Sequence, residues 1–155
     1  MNILEKLEQS INVERITDNE IDTLFGSASG TGTNAQDYVV EHGTSGIWEY
    51  RKWASGVSEC WGIQRHTVTG WGAWGSIYEG TPAIPQIDYP TGLFTSYPNV
   101  SMNSDGTYST SGTIGVEIYK WGSNTKTPLG YLLRPNTVSG SITYDVHITA
   151  KGTWK

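Results

Sequence analysis

The chain has 155 residues, enough for one domain with a buried core and too few for two of ordinary size. Charged residues make up only 16%, while 19 Gly, 7 Trp and 9 Tyr favour strands joined by tight turns over helices. The net charge of -5 and the scatter of the ten Lys and Arg exclude a phosphate-binding stripe, and no run approaches the roughly 20 apolar residues of a membrane span, so neither nucleic acid nor a membrane is an expected partner.

The N-terminus, MNILEKLEQS, lacks the basic flank and apolar core of a signal peptide, so the chain is expected to be made in the cytosol and to stay there until lysis. Ile3, Leu4, Leu7 and Ile11 recur at three- and four-residue spacing and give a narrow amphipathic stripe. A second helix is specified over 18–25: Thr17 and Glu20 form a capping box, Ile16 and Ile21 occupy hydrophobic-staple positions, and Gly26 is a stop. Helices this short are marginal in water, so Ile16, Ile21, Leu24 and Phe25 need an external surface to pack on. Residues 1–26 therefore read as a helical attachment segment whose partner is a sister subunit or another protein. Residues 27–37, opening SASGTGTNAQ, hold no apolar residue larger than Ala and read as a flexible linker.

From residue 38 to 155 the grammar is that of an all-β, antiparallel β-sandwich. Strands are predicted at Tyr38–His42, Ile47–Trp53, Val57–Thr67, Trp71–Tyr78, Leu93–Ser96, Asn99–Asn103, Thr113–Trp121, Gly130–Leu133 and Ser141–Lys151, most of them separated by Gly-, Pro- or Asn-containing turns. The clearest hairpin spans Ile47–Thr67, with Gly56 free to take the left-handed conformation of its short loop. In the last strand Ile142, Tyr144, Val146, Ile148 and Ala150 share one face, and polar residues share the other. Between Gly80 and Gly92 three prolines rule out a central strand, leaving a long connection that either crosses between sheets or carries function.

Catalytic constellations are missing. His42, His66 and His147 form no His-x-Glu or HExxH motif, so no metal or other cofactor is expected. Cys60, the single cysteine, reads as a small buried thiol; about 20 Å of extended chain would separate it from His66. Glu49 and Glu59 lie on the two arms of the hairpin, where a glycosidase pair would need them, but Arg51, Lys52 and Arg65 lie on the same arms, and ion pairing is the commoner outcome. The chain therefore reads as non-enzymatic.

Tryptophan stands out instead. Trp48, Trp53, Trp61, Trp71, Trp74, Trp121 and Trp154 exceed what a core of this size usually hides, and exposed rings stack on sugars or anchor interfaces. Trp71 and Trp74, three apart, point to opposite faces of a regular strand, one to the core and one outward. For ligand binding the sequence favours aromatics beside turns and prolines, namely Trp74, Tyr78, Tyr89 and Tyr97, because loops on a rigid scaffold carry recognition.

The run GIWEYRKWASGVSECWG (46–62) resembles a signature of tail-fibre and minor structural proteins of phages that infect Gram-positive bacteria. ITDNEIDTLFG (16–26), LFTSYPNV (93–100) and ITAKGTWK (148–155) fit the same family in the same order, and Phe94, Pro98 and Val100 more distantly echo H-type lectins. The resemblance implies a β-sandwich at the end of a homotrimeric fibre on the virion, on tail or capsid surface, used to attach to a bacterial surface glycan. The aromatic excess agrees with surfaces shared between subunits. Only about 37 residues precede the β region here, whereas members of the family carry it on a much longer chain; this favours a tail-tip component or a capsid fibre or decoration, docked through residues 1–26 on another virion protein. A purely structural capsid piece is the alternative function, and a glycan depolymerase the third.

Overall fold

Alternation of apolar and polar residues over long stretches dictates sheets with one buried face, and among the described residues nine strands result: β1 (Val39–Ser45), β2 (Trp48–Trp53), β3 (Val57–Val68), β4 (Gly70–Trp74), β5 (Ile77–Thr81), β6 (Asn99–Asp105), β7 (Gly115–Lys120), β8 (Leu129–Arg134) and β9 (Ile142–Thr153). The computed structural model describes residues 37–105, 115–137 and 139–155. The expected helical segment 1–26, with Ile16, Ile21, Leu24 and Phe25, lies outside the described residues, as does the expected linker up to residue 36.

The unit Val39–Lys155 is all-β, built of two antiparallel sheets ordered β1-β2-β3-β9-β6 and β4-β5-β8-β7. Its spine is the twelve-residue pairing of β3 with β9, from Val57↔Thr153 to Val68↔Ile142. On β9 the predicted apolar face is the inner one: Tyr144, Val146, Ile148 and Ala150 are buried and Ile142 packs against them. One core cluster draws on both sheets, since Leu132 of β8 joins the β9 residues while Val116 of β7 and Trp71 of β4 pack against it. The β2–β3 hairpin forms as predicted, with the Gly56 amide donating to the Trp53 carbonyl at 3.0 Å and Gly56 at φ 93°.

Two predicted strands need correction. Trp71–Tyr78 is a hairpin, β4 and β5, closed by Gly75-Ser76; Gly75 at φ 61° supplies the left-handed residue of a two-residue turn, and Trp74 pairs with Ile77. Leu93–Ser96 is a turn, opened by the Leu93 amide donating to the Pro90 carbonyl at 3.1 Å, and both Leu93 and Phe94 are buried. Successive strand residues point to opposite faces, so two adjacent plugs into one core require a bend.

The proline-rich connection 82–92 runs from β5 in one sheet towards β6 in the other and is pinned along its length. Ile84 exchanges backbone hydrogen bonds with Gly130 (2.7 and 3.3 Å), the Thr127 amide donates to the Ile87 carbonyl (2.9 Å), and the Tyr89 amide donates to the Thr125 carbonyl (2.9 Å). Buried Ile84 and Tyr89, with Ile87 beside them, make the connection part of the core.

Candidate functional site

The four aromatics selected from the sequence end in four different environments. Tyr89 is only 6% exposed and lies between Trp48 and Phe94, with ring centroids 5.4 and 5.0 Å away, so it belongs to the core and reaches the surface only as part of a cleft wall. Burial pushes its hydroxyl well above the usual phenol range. Trp74 and Tyr78 occupy opposite faces of the β4–β5 hairpin, because Tyr78 pairs with Ala73, the neighbour of Trp74. Tyr78 is half-buried and pairs across to Arg134, whereas Trp74 is exposed. Trp71 turns inward, its ring edge-on to Tyr144 at 6.4 Å and under the buried guanidinium of Arg134 at 5.0 Å. Tyr97 is the one candidate brought to another exposed ring: it packs edge to face with Trp121 at 6.2 Å.

A cleft of about 380 Å³ lies between the segment 88–94 and the turn that carries Asn124 and Thr125, and Tyr97 and Trp121 each follow or precede one of its lining residues, Phe94 and Asn124, by three positions. The cleft is held open by its own walls. The Trp48 indole N–H donates to the Asp88 carbonyl at 2.7 Å, Lys126 Nζ pairs with the Asp88 carboxylate at 3.4 Å, and the Asn124 amide reaches the Phe94 carbonyl at 3.5 Å. The 123–126 turn is fixed from within, since Ser123 Oγ accepts from the amides of Thr125 and Lys126, both at 3.1 Å. Tyr89 and Phe94 also line it, and Trp121 is 76% exposed. A recess that combines polar groups with aromatic rings can bind a ligand with one apolar face and several hydroxyls.

Trp121, Asp88 and Asn124 were not among the residues selected. Trp121 meets the criterion that singled out the others, an aromatic next to a turn, because Gly122, Ser123 and Asn124 follow it and Pro128 closes the segment. It was placed at the end of a strand, yet β7 stops at Lys120.

A second hollow of about 400 Å³ lies on the outer face of β3, β9 and β6, lined by Glu59, Trp61, Thr149, Lys151, Asn99 and Ser101. Its only aromatic ring is already covered, for the Arg51 guanidinium lies over Trp61 at 4.7 Å. Of the two carboxylates weighed for acid–base work, Glu59 faces Arg51 at 3.9 Å and Glu49 stands opposite Trp61, and in the same sheet Arg65 pairs with Asp145 at 2.9 Å. On the β1 edge Glu41 accepts from Lys52 (2.9 Å) and Tyr50 (3.1 Å), contacts that lower the Glu41 carboxyl and raise the Tyr50 hydroxyl. Cys60 is buried, and burial pushes its thiol up to about 12, far from a nucleophile's range. Among the described residues no group of three His, Cys, Asp or Glu is placed to hold a metal. Compared with family models, curated proteins and solved structures, the chain matches none.

Proposed function

We propose that the chain is a non-catalytic virion module, a homotrimer on the tail or capsid surface of a phage, whose β unit attaches the particle to a glycan of the bacterial cell surface. Residues 1–26 dock it to another virion protein in this reading. The observation that carries the glycan part is the exposed Tyr97–Trp121 pair, each ring three residues along the chain from the lining of the polar cleft of Asp88, Asn124 and Thr125. The virion part rests on the Trp-x-Tyr-Arg-Lys-Trp hairpin, Trp48 to Trp53, and the Glu-Cys-Trp-Gly strand of residues 59–62 that follows it. The engaged carboxylates and the buried thiol support a binding role rather than catalysis.

The test is adsorption of the labelled protein to host cells and to their isolated cell walls. Trp121→Ala removes one ring of the pair without touching the core and is expected to abolish adsorption while leaving the unfolding midpoint within about 0.5 kcal/mol of the parent. Adsorption unchanged in Trp121→Ala would place the binding site away from the ring pair, no adsorption by the parent protein would favour the purely structural capsid piece, and release of reducing ends from host polysaccharide would favour the depolymerase. Light scattering checks the assembly: a mass near three times the 17.0 kDa chain is expected at micromolar concentration, and a mass of one chain overturns the trimer.

A further inference from the structure

Resting on the glycan reading above, we infer that the cleft at Asp88 and Asn124 takes an uncharged sugar and that the ligand extends over at least two sugar residues, the second lying on Tyr97 and Trp121. The charge argument comes first. The cleft is lined by one charged group, the Asp88 carboxylate, whose side chain is 76% exposed, and the Lys126 ammonium stands 3.4 Å from that carboxylate. A polyanion such as a polyol phosphate would meet the Asp88 carboxylate, and a quaternary ammonium, which aromatic rings otherwise suit, would meet Lys126. Neither sign of charge is favoured over the other. An uncharged sugar gains from both groups, because its hydroxyls donate to the carboxylate and accept from the ammonium.

The length argument follows from the chain. Phe94 and Asn124 line the cleft, and Tyr97 and Trp121 each stand three residues away from them. Neither ring lines the cleft, and three residues of chain place each within about 11 Å of a lining residue along the backbone. A ligand that is held by Asp88 and Asn124 and also uses the Trp121 ring therefore calls for a neighbouring residue of the same oligosaccharide. The apolar floor of the cleft, Tyr89 and Phe94, is fixed by its packing on Trp48 and offers one face to the first sugar.

The experiment uses the full-length protein on a panel of uncharged gluco-, galacto- and manno-configured sugars from one to four residues. Poly(glycerol phosphate) and a uronic-acid polymer are read beside them, and adsorption to host cells is measured in parallel. The inference predicts binding to one uncharged series, at least tenfold tighter for the disaccharide than for its monosaccharide. Asp88→Asn is expected to weaken binding of both roughly tenfold or more. Trp121→Ala is expected to bring the disaccharide down to the affinity of the monosaccharide. Binding confined to the anionic polymers overturns the inference and leaves the glycan reading standing. Equal affinity for mono- and disaccharide overturns its second half. If no carbohydrate binds while the protein still adsorbs to cells, both the inference and the glycan reading fail.

Discussion

The Tyr89 hydroxyl is buried without a hydrogen-bond partner, in contact with the same core that holds Trp48 and Phe94. An unpaired buried hydroxyl costs about 1–3 kcal/mol, so Tyr89→Phe is expected to raise the free energy of unfolding by about 1 kcal/mol, whereas Tyr89→Ala empties the site and costs about 3–5 kcal/mol. Urea titrations of the two variants separate these outcomes, and destabilisation by Tyr89→Phe would show that the hydroxyl has a partner. Cys60 and Tyr89 also set an alkaline limit. Burial raises both groups above their ordinary values, near 9 for the thiol and 10 for the phenol, so the folded state holds protons that the unfolded state releases. Stability from this source is complete below about pH 9 and falls as pH rises, until about 12 for the thiol, by up to about 1.4 kcal/mol per pH unit for each group. Cys60→Ala removes the thiol's share, and unfolding free energies between pH 8 and 11 are expected to decline less steeply in that variant; parallel curves would refute the assignment. At this scale the sequence was informative about Cys60, which its β-strand setting marks as buried, and silent about Tyr89. Proximity to prolines suggested a surface loop, but nothing local reveals that the Trp48 ring stands 41 positions away to receive Tyr89.

Among the elements, the long strands were legible because alternation is a strong signal. β9 shows it over nine residues, and its inner face is the one the pattern gives. The β4–β5 hairpin was missed because WGAWGSIY is rich in strand-forming aromatics and its turn is a bare Gly-Ser. That turn makes a sharp prediction. Added Cβ atoms at Gly75 and Gly72 would both enter open space, but only Gly75 has a positive φ. Gly75→Ala is therefore expected to cost about 1–2 kcal/mol through backbone conformation alone. Gly72→Ala, in ordinary strand conformation, is expected to be neutral or to stabilise by up to about 1 kcal/mol. Thermal unfolding of the pair reads the difference, and equal midpoints would contradict the turn geometry. The cleft was illegible for a related reason: its walls, 88–94 and 124–125, are at least 30 residues apart, and the hydrogen bonds that unite them run through backbone atoms whose partners no side-chain pattern encodes.

For the molecule as a whole, the buried cluster of Trp48, Tyr144, Val146, Ile148 and Leu132 lies wholly within Val39–Lys155. Deletion of residues 1–26 is accordingly expected to leave the thermal midpoint of the β unit unchanged within about 2 °C, corresponding to less than about 0.5 kcal/mol for a domain of this size. Calorimetry of the two forms checks it, and a large fall would make the N-terminal segment part of the fold. Among the described residues, the two register shifts fall on edge strands: β1 steps out of register between Val39 and Glu41, and β7 between Ile118 and Lys120. The extra residues, Val40 and Tyr119, are exposed apolar side chains on what would otherwise be straight ladders. A straight edge offers a row of free amides and carbonyls to any passing copy, and a kink breaks that row into pieces too short to template a strand. Crowding many copies together, as on a particle or in a concentrated solution, therefore need not lead to fibre growth through the β1 or β7 edge, and contacts between copies at those two edges are left to side chains rather than to shared sheet.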